Sequence, residues 1–108
     1  MDKQLPPPIA AFYSLSNGQE GLLLGQCFSA DAVVVDERRS HVGLDEISAW
    51  LSEAQRLYRF RAEPLEFLDQ GAQAIIPTKV TGTFPGSPIE LRYVFHINGE
   101  RIERLEIR

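Results

Sequence analysis

The run Ile89-Glu90-Leu91-Arg92-Tyr93-Val94-Phe95-His96-Ile97 restricts the folds open to this chain more than any other. Apolar side chains occupy every second position: Ile89, Leu91, Tyr93, Phe95 and Ile97. Glu90, Arg92, Val94 and His96 take the opposite face. Strict alternation of this length specifies a strand with one face in a core. Pro85-Gly86-Ser87-Pro88 precedes it and Asn98-Gly99 follows it. Proline presets φ, glycine tolerates positive φ, and Asn-Gly suits a two-residue type I′ hairpin. A strand held between two tight turns pairs on both sides. The stretches 72–84 and 101–107 are therefore expected to flank it in a curved antiparallel meander. On this parity Leu91→Ala is a core deletion costing roughly 2–5 kcal/mol.

The remaining chain must cover one face of that sheet. Residues 1–4 read as a frayed terminus. Pro6-Pro7-Pro8 can start a helix but not sit inside one, and Ile9, Phe12 and Tyr13 have helical spacing over 9–15. Asn17-Gly18 is a stop signal. Leu23, Leu24, Cys27 and Phe28 predict a second helix over 19–28, although Gly21 and Gly25 weaken it. A β-branched strand follows at 32–37, then a polar loop at 38–42. A third helix starts at Gly43 or Leu44, with Asp45 and Glu46 at its positive end and Ile47, Trp50, Leu51 and Ala54 as its stripe. A strand over 57–68 alternates Tyr58, Phe60 and Ala62 with Arg59, Arg61 and Glu63, and Pro64 marks it as an edge or bulge. Helices followed by strands give an α+β class, in a single domain spanning 1–108. Three helices on the concave face of a bent sheet form a cone that leaves a pocket at its mouth.

Charge and composition exclude several functions. A net charge of −4 and a pI near 5.1 oppose nucleic-acid binding, which needs a basic face. Arg56, Arg59 and Arg61 form a local basic group that suits a solvated or dimer-facing surface. The apolar runs are too short to span a membrane, and no basic-then-apolar leader is visible, so cytoplasmic residence is expected. The single cysteine, Cys27, excludes an intrachain disulfide and a multi-cysteine zinc site. It falls on an apolar helix stripe as a small hydrophobe. His41 and His96 are too far apart to read as a metal pair. No phosphate-binding glycine loop or nucleophile elbow occurs, so no cofactor is expected.

Two segments carry a family resemblance. Phe28-Ser29-Ala30-Asp31-Ala32-Val33-Val34-Val35-Asp36-Glu37, with His41-Val42-Gly43, Ile47 and Trp50, gives a helix end, an Asp-Ala strand, an acid, a glycine and a helix bearing Ile and Trp. The stretch from Phe84 to Phe95, closed by Arg101-Ile102-Glu103-Arg104-Leu105-Glu106-Ile107, is the other. Together these resemble the SnoaL-like branch of the nuclear transport factor 2-like superfamily, over nearly the whole chain, and a bacterial subgroup without assigned activity. The resemblance implies an NTF2-like, cystatin-like cone. That fold hosts cyclases, isomerases, hydrolases, dehydratases and non-catalytic binding proteins, so it does not fix function. In ketosteroid isomerases of the superfamily a strand aspartate is the base, and Asp36 occupies the matching place. Their oxyanion donors, a first-helix tyrosine and a strand aspartate, match Phe12 and Leu91 here, which speaks against steroid isomerisation. The Asp/His pair of SnoaL-type cyclases is not carried over, because His96 has the wrong parity.

Asp36 is thus the candidate catalytic residue, a general base facing an apolar pocket. Its alternative role is to anchor the 38–43 loop or pair with Arg38 or Arg39. Tyr13, Tyr58 and Tyr93 can each present a hydroxyl to a ligand, or simply serve the core. Trp50 is expected to line the pocket, its indole N–H free to orient an acid or a ligand carbonyl. His41 is placed in the loop near the mouth, where it can gate or titrate. The expected ligand is small and apolar or carbonyl-bearing. The outward sheet face, with Val94 and His96 among Arg59, Arg61, Glu90 and Arg92, suits a two-fold homodimer. Two functions follow: cofactor-free proton transfer of the cyclase or isomerase kind through Asp36, or non-catalytic ligand binding or dimerisation.

Overall fold

The computed structural model describes residues 5–19 and 21–108; the expected frayed terminus lies outside them. The order is α1 (Pro7–Ser16), a single 3₁₀ turn (Leu24–Gln26), β1 (Phe28–Asp36), β2 (Arg39–Val42), α2 (Gly43–Tyr58), β3 (Arg61–Pro64), β4 (Leu68–Gln70), β5 (Gln73–Thr81), β6 (Ile89–Asn98) and β7 (Arg101–Ile107). The strands form one sheet in the order β2-β1-β7-β6-β5-β3, with β4 also paired to β5. All pairings are antiparallel except β1 with β7.

The meander is β5–β6–β7. Across it Tyr93 pairs with Ile76 and Ile107, and Phe95 pairs with Ala74 and Leu105. Leu105 in turn stands beside Val34 of β1. These apolar partners share the concave face and make the core with Phe12, Phe28 and Ile47. The turn after β6 is Gly99-Glu100, one residue later than expected, with Gly99 at φ 65°. Val94, on the convex face, is nonetheless only 1% exposed, in a row with Ile75 and Glu106.

The α+β cone stands, but with two α-helices rather than three. Residues expected to form the second helix contribute one 3₁₀ turn, and Phe28 already belongs to β1. Gly18 and Gly21 take φ of 93° and 89°, a conformation no α-helix contains. Leu23, assigned to the buried stripe, is 70% exposed. The 38–42 loop is instead β2, joined to β1 through Glu37 and Arg38 at φ 52° and 66°. That is the positive-φ pattern of a two-residue hairpin, made here without glycine. The strand expected over 57–68 is divided. Tyr58 ends α2, Arg59 closes the helix in the left-handed conformation at φ 45°, and β3 and β4 follow separately. Arg59 and Arg61 therefore do not share a strand face. β3 is the sheet's last strand and ends at Pro64, where a missing N–H is tolerated.

α1 begins with prolines in its first turn and ends at Asn17. The Asn17 side chain accepts from the Ala62 N–H and donates to the Ala62 carbonyl, both at 2.8 Å. Gln55 of α2 donates to the carbonyls of Ser16 and Phe60. These bonds tie the end of α1 to β3 and α2, and so set how far α1 reaches across the concave face.

Candidate functional site

α1 fills one end of the concave face with aromatic rings. Phe12 meets Phe28 and Phe95 edge-on at 5.5 and 5.8 Å between centroids. Beyond α1 the face is covered by the second half of α2 and by the 82–88 connection, and a cavity of about 490 Å³ remains. That connection is held against α2: Thr83 donates through its N–H to the Tyr58 carbonyl at 2.7 Å. The approach requires glycine at 82, where a Cβ would lie 2.5 Å from that same oxygen. Phe84 thereby packs edge-on against Tyr58 at 5.9 Å.

Asp36, Trp50, Tyr58 and Tyr93, four of the six candidates, line this cavity together. Asp36 ends β1 on the inward parity of Val34. Val35 pairs with Glu106, so Asp36 follows at the level of Ile107, and Ile107 pairs with Tyr93. Asp36, Ile107 and Tyr93 thus lie in one row across three strands. Two strand spacings put roughly 10 Å between the backbones of Asp36 and Tyr93. The Trp50 indole N–H donates to Asp36 Oδ2 at 3.0 Å. Among the described residues no hydrogen bond reaches Oδ1, and no ion pair joins Asp36 to Arg38 or Arg39.

Tyr93 is 4% exposed, and among the described residues its hydroxyl has no hydrogen-bond partner. Burial holds its phenol above the ordinary range, and the negative charge of Asp36 pushes the same way. It is a neutral hydroxyl beside a carboxylate, in a cavity otherwise walled by groups such as Phe60, Val80, Leu91 and Ile107.

Tyr13 and His41 do not line the cavity. Tyr13 lies in the core, its hydroxyl bonded to Thr78 Oγ1 at 2.7 Å. Burial, opposed by that bond, raises its phenol as well. His41 belongs to β2, not to a loop, and its ring lies against Trp50 at 6.0 Å between centroids. Phe12 is core, and Leu91 is an apolar cavity wall, so neither place matched to an oxyanion donor carries one. Sequence reading missed Glu37, Phe84 and Arg108, which also line the cavity. Strand parity turned Glu37 away from Asp36, but it sits in an unforeseen hairpin turn at φ 52°. Among the described residues no group of His, Cys, Asp and Glu is arranged to hold a metal, and no helix is long and apolar enough to cross a membrane.

A curved sheet with helices on its concave face and a cavity left between them is a cone-shaped NTF2-like, cystatin-like fold. A proposed polyketide cyclase from Sinorhizobium meliloti is 38% identical, with a TM-score of 0.91 over 96% of this chain and 95% of that one. A protein of ketosteroid isomerase-like fold from Catenulispora acidiphila, solved with trimethylamine, is 20% identical, with a TM-score of 0.82 over 97% and 86%. A proposed isomerase of the SnoaL-like family from Agrobacterium tumefaciens is 16% identical, with a TM-score of 0.75 over 93% and 92%. No family model and no curated protein matches the chain. The chain belongs to the SnoaL-like group of the NTF2-like superfamily.

Proposed function

We propose that the protein is a cofactor-free catalyst of proton transfer at carbon next to a carbonyl, with Asp36 as the base. The observation that supports this most is the Asp36 carboxylate at the cavity wall. One oxygen is fixed by Trp50 and the other has no partner among the described residues. A base needs an oriented carboxylate with a free oxygen. Trp50 is the positioning residue: it holds the carboxyl plane without donating a charge. Tyr58 and Tyr93 present hydroxyls to the ligand, and the apolar walls accept its carbon skeleton. A cyclase step of this kind agrees with the polyketide cyclase role proposed for the Sinorhizobium protein.

The test follows exchange of a β-diketone's central C–H for deuterium by NMR. Wild-type protein should accelerate exchange, and Asp36→Asn should lose roughly 10²–10⁴-fold of it. Equal rates for the two proteins would exclude Asp36 as the base.

Binding without turnover is the second reading. It is favoured by the aromatic share of the lining, Trp50, Tyr58, Phe60, Phe84 and Tyr93, and by the trimethylamine held in the Catenulispora protein. In either case the protein pairs as a homodimer through its convex sheet face. Val42 and Leu68 are 52% and 42% exposed there, in rows with Val33 and Ile75, beside Arg92 and Arg104. Sedimentation should give a dimer; a clean monomer at high micromolar concentration would remove the interface.

A further inference from the structure

We propose that the cavity selects a positively charged ligand, an alkylated organic ammonium ion that takes Asp36 as its counter-ion. The proposal rests on the cavity being a ligand site, and it holds whether or not Asp36 also moves a proton.

The Asp36 carboxylate is half-buried at an apolar wall, and its protein partner is a neutral indole N–H. The ion pairs of the described residues are Arg56–Glu53, Arg104–Glu106 and Arg108–Glu106, so none reaches Asp36 or Glu37. A carboxylate drawn out of water is costly unless a cation compensates it. Arg108 borders the cavity, but its Nε donates to Glu106 at 3.2 Å. Asp36 is thus the half-buried acid of the cavity, while Glu37 is exposed to water, and among the described residues no ion pair neutralises Asp36.

Its walls are suited to the same charge. Trp50, Tyr58, Phe60, Phe84 and Tyr93 contribute five rings, and the electron-rich face of an aromatic ring attracts a cation. Alkyl groups on nitrogen spread the charge and lower the cost of leaving water, so an alkylated ammonium fits apolar walls that a lysine-like ammonium would not. The unpartnered Tyr93 hydroxyl, only 4% exposed, offers oxygen lone pairs to the same cation. A neutral ligand would leave the Asp36 charge uncompensated, and an anion would be repelled by it.

Two probes of the same shape separate charge from fit: choline, and its uncharged carbon isostere 3,3-dimethylbutan-1-ol. Each is titrated by calorimetry and by the fluorescence of Trp50, the chain's single tryptophan. Choline should bind about tenfold more tightly than the isostere, the scale of a desolvated cation–π contact. Asp36→Asn keeps an oxygen for the indole N–H and should reduce that preference, the aromatic contacts retaining the remainder. Tyr58→Leu should weaken choline more than the isostere. Equal binding of the two probes, or choline binding unchanged in Asp36→Asn, would overturn the charge selection and leave an apolar ligand pocket. Binding of neither probe would overturn the proposal, and the deuterium-exchange measurement would then decide separately whether the cavity takes a carbonyl compound.

Discussion

At the Phe95 end the concave face of the sheet is sealed, while at the Leu91 end the same strand borders a cavity of about 490 Å³. Both residues belong to one alternating run and point the same way. Phe95 meets Phe12 and Tyr13 of α1 at 5.8 and 6.1 Å between rings. Leu91 lines the cavity even though Tyr13 of α1 reaches Thr78, its partner on β5. Its cover is the end of α2 and the 82–88 connection. The pattern of a strand determines which side chains leave water, but not whether they meet protein or empty space. Tyr93 stands between the two regimes, its ring stacked on Tyr13 at 5.7 Å while it also lines the cavity.

Three measurements can break or sharpen this contrast. The largest effect belongs to the sealed end. Phe95→Ala should cost about 3–5 kcal/mol in urea unfolding, because a fully buried ring leaves a void that its neighbours cannot close. Next comes alkaline pH. Tyr13 and Tyr93 are both held neutral by burial, so their contribution is intact below the ordinary tyrosine range. It is lost as pH rises above about 10, by up to about 1.4 kcal/mol per pH unit for each phenol. Unfolding curves at pH 9 and pH 11 should show the loss, and Tyr13→Phe and Tyr93→Phe should each flatten it. A wild-type stability unchanged over that range would mean that neither hydroxyl is shielded. Leu91→Ala should have the smallest effect, under about 1.5 kcal/mol, since the side chain is half-buried and already faces open volume. This corrects the 2–5 kcal/mol expected from alternation alone. A cost matching that of Phe95→Ala would show the cavity end to be as tightly packed as the core.

Much of the architecture is legible from residue pattern. The meander, the start of α2 at Gly43 and the inward parity of Asp36, Tyr93 and Phe95 all follow from alternation and turn chemistry. The misreadings share one cause. In each, a local signal competed with a backbone conformation that has no strict side-chain signature. The apolar spacing of Leu23, Leu24, Cys27 and Phe28 looked helical, but positive φ at Gly18 and Gly21 prevents the helix. The β2 hairpin turns on Glu37 and Arg38, residue types that seldom adopt positive φ, so its polar edge strand read as a loop. Of the site, the Asp36–Trp50 hydrogen bond joins residues on separate elements, and Tyr13 and Tyr93 were indistinguishable until Thr78 was found to claim one hydroxyl and not the other.

The sequence by itself determined a single α+β cone, the strand at its centre and the acid that ends β1, because periodicity and turn residues act over a few neighbouring positions. Tertiary structure alone decided that two helices cover the sheet, and that Asp36, Trp50, Tyr58 and Tyr93 converge on the space left over. Those outcomes depend on pairings between residues far apart in the chain, such as Asn17 with Ala62 and Thr83 with Tyr58. Their energies exist only once the strands have found one another, and no local pattern encodes them.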